Sequence, residues 1–255
     1  MTAAPKHPLV RLTVVLLLLS TLSACASTTM RAADPRDPFE PINRVSYAVN
    51  DGLDRAVIRP TAKVYRAVTP KFMQIGVTNV FSNAKYPVTL VNNALQGKFS
   101  AAASDTGRFL LNTTVGVGGF FDPATAAGLE RHDEDFGQTF GVWGIGAGPY
   151  FVVPLFGPTT LRDGLGSLAD DFSEPRSHLE DDSTRWSLWM FDKLETRVRL
   201  LDADAVLDRS GDPYAFVRSA YLQRREFQVR DGNVPAEDLE SEFADEDEST
   251  PDATP

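Results

Sequence analysis

The chain has 255 residues, with 25 basic and 35 acidic side chains and a formal net charge of −10. Ten carboxylates and no Lys or Arg lie between Asp231 and Pro255, so the other 230 residues carry 25 charges of each sign. This balance excludes a uniformly acidic binder of basic partners, and it counts against nucleic-acid binding, which needs a basic face. About 200 residues suit one domain, or two small ones, with a buried core.

The N-terminal segment resembles a bacterial lipoprotein signal. A basic stretch (6–11) precedes an apolar run of 11 residues (12–22), whereas a helix that crosses a bilayer needs about 20. A run of this length is typical of a signal peptide. It ends in Leu22-Ser23-Ala24-Cys25, which resembles the lipobox in which the cysteine is acylated. We therefore predict that Cys25 is the lipid anchor.

Cys25 is the only cysteine of the chain. The alternative is an ordinary secretory signal with an incidental cysteine, but a free thiol is a liability in an exported protein and acylation would consume it. With no second cysteine, the mature fold has no intramolecular disulfide. Ala26 follows Cys25 where the known retention signal of Gram-negative lipoproteins has Asp. That resemblance favours the outer membrane.

The chain is predicted to contain four segments. They are a signal peptide (1–24), a lipidated tether (25–36), a helical domain (37–230) and a disordered acidic tail (231–255). Without the signal peptide, the stretch from Cys25 to Arg230 has 23 basic and 25 acidic residues, a formal charge of −2. The acidity therefore belongs almost entirely to the tail, which is interpreted as a solvating arm or as a bait for a basic carrier.

The helical domain opens with an amphipathic helix. Asp37 is placed to cap it, Pro38 suits the first helical position and Glu40 lies three residues after the cap. The helix is predicted to run to about Ile58, where Arg59-Pro60 ends it. Taken alone, its apolar stripe is more often a core face than a membrane face. The stripe comprises Phe39, Ile42, Val45, Val49 and Leu53.

Short helices punctuated by Pro and Gly follow. They are predicted over 61–68, 70–81, 87–96 with Gly97 just past the end, 100–112, 183–208 and from Asp212-Pro213 onward. Asparagines recur within these apolar segments, and we expect them to hold turns or to face a wet cavity. They are Asn79, Asn83, Asn92 and Asn93.

A Gly- and aromatic-rich segment (116–158) interrupts the helices. Its glycines permit close backbone approach and positive φ, so we predict loops and short pieces here, with an extended piece over 149–154. Beyond this segment, three carboxylates are interpreted as helix caps or as solvated charges. They are Asp163, Asp170 and Asp171.

No catalytic motif is present. The nucleophile elbow G-x-S-x-G is absent, and Gly144-Ile145-Gly146-Ala147-Gly148-Pro149 is not a dinucleotide-binding fingerprint. His132-Asp133-Glu134-Asp135 could in principle bind a hard cation, although a solvated acidic turn is the commoner meaning of such a run. A Ser-His-Asp triad using His132 or His178 stays open, because triads assemble in space. We predict no enzymatic activity, no cofactor and no metal.

Ordered motifs along the chain resemble the MlaA (VacJ) family of outer-membrane lipoproteins. They start with Asp37-Pro38-Phe39-Glu40-Pro41-Ile42-Asn43-Arg44 and are densest from Glu134 to Pro158. The resemblance continues through Leu161-Arg162-Asp163 and Asp212-Pro213-Tyr214 and spans about Asp37 to Phe227. Agreement over several blocks in the same order is far more specific than any single motif. The acidic tail lies outside the pattern.

The resemblance implies a mainly α fold: a ring-like bundle of short amphipathic helices with a Gly/aromatic-rich irregular segment, seated in one membrane leaflet. It implies removal of mislocalised phospholipid from the outer leaflet of the outer membrane. The lipid would pass through an amphipathic channel to a soluble periplasmic lipid carrier of the Mla type, which maintains lipid asymmetry. A trimeric porin is the implied outer-membrane partner.

The resemblance also assigns residues. The stripe of the first helix (Phe39, Ile42, Val45, Val49 and Leu53) becomes membrane-facing. The channel region is assigned to the Gly/aromatic segment, whose glycines could equally be plain turn residues. The residues assigned to the channel are Phe136, Gly137, Gly141, Trp143, Gly144, Gly146, Gly148 and Tyr150.

Two functions of other classes remain as alternatives. The first is a structural, porin-associated lipoprotein that moves no lipid, which a lipid-transfer assay with a periplasmic carrier would distinguish. The second is a membrane-bound lipid hydrolase, which would release fatty acid in a reaction that depends on His132 or His178.

Overall fold

The computed structural model describes residues 34–233, and this part of the chain is mainly α-helical, as predicted. The signal peptide, Cys25 and the tail beyond residue 233 lie outside the described residues, so the predictions for them stay predictions. The helices are α1 (Glu40–Leu53), α2 (Arg59–Val68), α3 (Lys71–Leu95), α4 (Phe99–Thr114), α5 (Pro123–Ala126), α6 (Phe136–Val142), α7 (Leu161–Ser173), α8 (Asp182–Leu200), α9 (Asp204–Leu207) and α10 (Pro213–Val229).

The first helix does not end at Pro60. A π-helical turn (Asp54–Ile58) follows α1 directly, and α2 begins at Arg59 with Pro60 in its first turn. A proline there is tolerated because the N–H groups of the first turn have no intrahelical acceptor. The helical path therefore continues to Val68, and the prediction that Arg59-Pro60 ends it is wrong.

The two helices predicted over 70–81 and 87–96 form the single helix α3, which contains Pro87. Proline removes a hydrogen bond inside a helix and usually kinks or breaks it. Here the neighbouring residues Asn83, Tyr86, Val88 and Thr89 are all buried, so tertiary packing outweighs the local penalty. The helix ends as predicted, with Gly97 at φ +78° just beyond its cap.

The Gly/aromatic segment contains short elements only. The predicted extended piece is strand β1 (Tyr150–Val153), which pairs with β2 (Gly157–Thr160) as an antiparallel hairpin. Helix α7 follows at once and was not predicted; Thr160 caps it by accepting from the N–H of Asp163. The helix predicted over 183–208 comprises α8, a 3₁₀ turn (Leu201–Ala203) and α9.

The interior of the described domain is polar and much of its exterior is apolar. Eighteen polar or charged residues are buried there, against nine apolar ones. The apolar core consists of two small clusters, one around Ala62, Val198 and Leu201 and one around Tyr150, Val152 and Tyr214. A water-soluble domain normally buries its large apolar side chains and exposes its charges, so this distribution is the reverse of the usual one.

Candidate functional site

The apolar stripe of α1 faces outward. Phe39, Ile42, Val45 and Val49 are 41%, 64%, 63% and 56% exposed, and Leu53 is half-buried. The first four side chains therefore do not face a protein core, although an apolar stripe taken alone more often does. Their contact with a membrane stays a prediction.

The opening motif binds the start of α1 to distant parts of the domain. Asp37 does not cap the helix as predicted, since α1 begins at Glu40. Its carboxylate is buried and accepts from Asn43 Nδ2 at 2.7 Å, from Arg218 Nη1 at 2.9 Å and from the Tyr214 hydroxyl. Asn43 also holds β1, because it accepts from the Val152 N–H at 2.9 Å. Asp37 therefore joins α1 to α10, and Asn43 joins α1 to the hairpin.

Arg225 of α10 holds α6 and α7 through two carboxylates. Its Nη1 and Nη2 lie 2.6 and 2.9 Å from the Asp135 oxygens, and its Nε and Nη2 each lie 3.0 Å from Asp163. Burial acts to raise the pKa of both aspartates, but the hydrogen bonds and charge of Arg225 outweigh it and leave each pKa lowered. Asp163 is thus neither a cap nor a solvated charge.

Two glycines let α6 and α7 approach closely. A Cβ on Gly166 would lie 2.3 Å from the backbone N of Gly137, and a Cβ on Gly137 would lie 2.6 Å from Nη2 of Arg225. No side chain fits at that separation. Gly137 therefore has a packing role beside the Arg225 cluster.

Most of the other residues predicted for the channel also have local roles. Gly141 packs against Val229 of α10, and Gly144 and Gly148 have φ of +87° and +68°. Tyr150 is fully buried in β1, and the rings of Phe136, Phe140 and Trp143 are in contact. None of the eight predicted residues lines either of the cavities described next. Their assignment to a channel stays a prediction.

The acidic run at 132–135 is built into hydrogen-bonded clusters. Asp135 binds Arg225, Glu134 binds Lys98 Nζ at 3.0 Å, and His132 Nδ1 lies 3.1 Å from Asp105. Within residues 34–233 no group of three or more acidic, His or Cys side chains is arranged to hold a metal ion.

Two cavities lie along one face of α3. The larger has a volume of about 310 Å³ and the smaller about 80 Å³, and Arg199 of α8 contributes to both. The larger is lined by Arg66, Lys71, Gln74, Ile75, Thr78, Asn79, Glu195, Val198, Arg199 and Asp202. The smaller is lined by Ser82, Lys85, Tyr86, Thr89, Arg131, His132, Asp133 and Arg199.

The asparagines were predicted to hold turns or to face a wet cavity. Asn79 lines the larger cavity, whereas Asn83, Asn92 and Asn93 are buried. Polar residues recur along α3 at spacings of three and four, which places them on one face of a helix. They are Lys71, Gln74, Thr78, Ser82, Lys85 and Thr89.

Charged side chains surround this face. Arg66 Nη1 of α2 pairs with Asp202 at 2.7 Å at the larger cavity, and Lys85 Nζ pairs with Asp192 at 3.2 Å at the smaller one. The domain thus contains cavities lined by charged, polar and some apolar residues, between helices whose outer faces are apolar. Within residues 34–233 no helix is both long and apolar enough to cross a bilayer.

Comparisons with known proteins agree with these features. A family model described as MlaA lipoprotein matches residues 35–228. The intermembrane phospholipid transport system lipoprotein MlaA of Escherichia coli is 38% identical over 232 residues, which cover 88% of this chain and 90% of the relative. The lipoprotein of the same name from Haemophilus influenzae is 32% identical over 232 residues, which cover 87% of this chain and 92% of the relative.

A solved structure gives the same result. It comes from work on the structural basis for maintenance of bacterial outer membrane lipid asymmetry, and it is 38% identical with a TM-score of 0.70. The alignment covers 76% of this chain and 98% of the solved chain. The motifs that place Asp37, Asp135 and Asp163 in buried clusters all fall inside the matched region. The chain belongs to the MlaA lipoprotein family.

Proposed function

We propose that this protein is a lipid-anchored component of an intermembrane phospholipid transport system. It removes mislocalised phospholipid from the outer leaflet of the outer membrane and passes it to a soluble periplasmic carrier. The observation that carries the proposal is the polar, cavity-containing interior beneath an apolar exterior. Relatives of this chain carry the name of such a system.

The apolar exterior supports a position in one leaflet. Exposed apolar patches of this extent are unfavourable in water, and they become favourable when the acyl chains of a bilayer cover them. Amphipathic helices bury such faces about 5–10 Å into a membrane without crossing it. Cys25, which lies outside the described residues, would add the acyl chains that make such binding stable.

The polar cavities support a path for headgroups. A charged headgroup at the hydrocarbon centre costs several kcal/mol unless polar groups or water accompany it. Arg66, Lys71, Lys85 and Arg199 lie on the cavity walls and can interact with a phosphate, while the acyl chains stay in contact with the apolar exterior. A trimeric porin in the same membrane is the partner against which part of that exterior would pack.

Reconstitution tests the proposal. The lipidated protein is inserted into vesicles that contain labelled phospholipid, a soluble periplasmic lipid carrier is added, and label on the carrier is measured. We expect label on the carrier only when the protein is present. Asn79→Trp should obstruct the larger cavity and slow transfer, whereas Val80→Trp, on the exposed side of the same helix turn, should not.

The same assay separates the alternatives. Protein that binds a porin but transfers no phospholipid would be a scaffold, and the transport proposal would be wrong. Release of free fatty acid that is lost in His132→Ala or His178→Ala would identify a hydrolase. Asn79→Trp and Val80→Trp proteins that transfer lipid at the same rate would show that this cavity is not the path.

A further inference from the structure

The larger cavity contains a buried carboxylate without a cationic partner. Glu195 of α8 is 3% exposed and accepts a hydrogen bond from Thr78 Oγ1 to Oε2 at 3.0 Å, and the hydroxyl of Tyr65 lies beside the same carboxylate. Its Oε1 is buried without a hydrogen bond of normal geometry among residues 34–233. Buried carboxylates are normally paired or hydrogen-bonded, because an isolated buried charge is costly.

The hydroxyl of Tyr65 is also buried without a hydrogen bond of normal geometry among the described residues. Burial, reinforced by hydrogen bonding and charge interaction with the Glu195 carboxylate, raises the pKa of this hydroxyl. The neutral phenol can give Glu195 a hydrogen-bond donor but no positive charge. A cation that donates hydrogen bonds would supply that charge.

Two solvent-exposed cations at the same cavity are free of ion pairs within the described residues. Lys71 forms no ion pair with any carboxylate of the described chain, and Arg199 has a single hydrogen bond, from Nη2 to Thr196 Oγ1 at 3.3 Å. Both side chains line the cavity together with Glu195. The cavity therefore offers positive charge for an anion and a buried negative charge for a cation.

A volume of about 310 Å³ is at the lower end of small-molecule pockets, about 300–1,000 Å³. One small group that carries both charges would satisfy both sets of side chains. A phosphodiester suits Lys71 and Arg199, and a primary ammonium, which has three donors, suits Oε1 of Glu195.

We propose, on the basis of the transport function above, that this cavity recognises a zwitterionic headgroup containing a phosphodiester and a primary ammonium, as in an ethanolamine phospholipid. A glycerol headgroup carries no cation and leaves the charge of Glu195 buried and unpaired. A choline headgroup is cationic but has no N–H to donate. The cavity therefore discriminates against both.

The test uses the lipidated full-length protein in vesicles that contain equal amounts of labelled phosphatidylethanolamine, phosphatidylglycerol and phosphatidylcholine. Lipid that reaches a soluble carrier, and lipid that co-purifies with the protein, are quantified by mass spectrometry. We expect about tenfold enrichment of phosphatidylethanolamine, which corresponds to about 1.4 kcal/mol. Glu195→Gln retains an acceptor for Thr78 but loses the charge, and it should remove the enrichment, so that the three lipids reach the carrier in similar amounts.

Matched variants control for general effects. Glu180→Gln changes an exposed glutamate and should keep the enrichment. Lys71→Ala should slow transfer of all three lipids, because each has a phosphodiester, whereas Lys63→Ala, an exposed lysine outside the cavity, should not. Melting temperatures establish that each variant is folded.

Soluble glycerophosphoethanolamine distinguishes the source of the headgroup. Competition with lipid transfer would show that the headgroup chemistry alone is recognised, and enrichment without competition would show that the headgroup is recognised on a membrane lipid; either supports the proposal. Equal transfer and co-purification of the three lipids, or an unchanged enrichment in Glu195→Gln, would overturn it and leave phospholipid transport intact. No transfer of any lipid by the wild type would instead overturn the transport function.

Discussion

Arg225→Leu should destabilise the domain strongly, because the guanidinium is the shared partner of two carboxylates on α6 and α7. It makes four hydrogen bonds of 2.6–3.0 Å to Asp135 and Asp163. Its side chain is 13% exposed and that of Asp163 is 6% exposed. Removal of one partner of a buried ion pair costs about 3–5 kcal/mol, and we expect the lower end of that range because Arg162 stays 2.9 Å from Asp163. That is a large part of the roughly 5–15 kcal/mol that stabilises a typical domain.

The measurement is urea-induced unfolding of the detergent-solubilised protein, followed by circular dichroism. Arg224→Leu is the matched control, because Arg224 is the preceding residue of α10 and its side chain is exposed. Its free energy of unfolding should stay within about 0.5 kcal/mol of the wild type. The double variant Arg225→Leu/Asp135→Asn should recover part of the loss, because Asp135 pairs with Arg225 and its charge is removed with its partner, whereas Asp163 also keeps Arg162 at 2.9 Å.

The loss of stability caused by Arg225→Leu should also depend on pH. The folded-state pKa values of Asp135 and Asp163 are lowered, so their contribution is complete above the unfolded pKa of about 3.9 and is lost as pH falls below it. The difference between wild type and Arg225→Leu should therefore shrink in acid. A loss below about 1 kcal/mol at pH 7, or one equal to that of Arg224→Leu, would refute the role of Arg225 as the link between α6, α7 and α10.

Three further predictions concern packing, protonation and anchoring. Gly166→Ala should lower stability by about 1–3 kcal/mol, because its Cβ would lie 2.3 Å from the Gly137 backbone; Gly52→Ala, with open space around its Cβ, should not, and equal melting temperatures would contradict the close approach. Burial, reinforced by the Asp135 and Glu174 carboxylates, raises the pKa of Asp170 to about 7. The folded state therefore binds more protons than the unfolded state between about pH 4 and 7. Asp170→Asn should thus raise stability on the order of 2 kcal/mol at pH 8 and leave it unchanged near pH 4, and unfolding curves with the same effect at both values would refute the shift. Cys25→Ser should weaken membrane anchoring but leave vesicle binding through the apolar face of α1. Adding Ile42→Asp should remove that remaining binding in a vesicle flotation assay. An unchanged flotation profile would argue against α1 as a membrane-facing helix.

Much of the local structure followed from the sequence. The spacing of apolar residues predicted the helices around α1, α2, α4, α8 and α10, and Asp212 caps α10 as expected by accepting from the Ala215 N–H. These features depend on neighbours within one or two helical turns. The helix ends predicted at Pro60 and Pro87 were wrong for the same reason, because the rule that proline ends a helix is local and tertiary packing outweighed it.

Glycine and aromatic content in the segment predicted to form the channel indicates an irregular backbone but not what surrounds it. The structure places Gly137 and Tyr150 in packed positions, and the cavities lie along α3. The sequence shows that the polar residues of α3 share one face, but it does not show which elements pack near that face. A helical pattern tells which residues share a face. It does not tell whether water, lipid or another helix lies opposite.

The sequence by itself therefore determined the helical class, the family, the outward stripe of α1 as a single face and the confinement of the acidic surplus to the tail. The tertiary structure decided which charges meet. Asp37 and Tyr214 are 177 positions apart, Asp135 and Arg225 are 90 apart, and Glu195 meets Thr78 across 117. Burial of a carboxylate and the presence or absence of its partner depend on such distant contacts, because desolvation and Coulomb energy follow distance in space rather than distance along the chain.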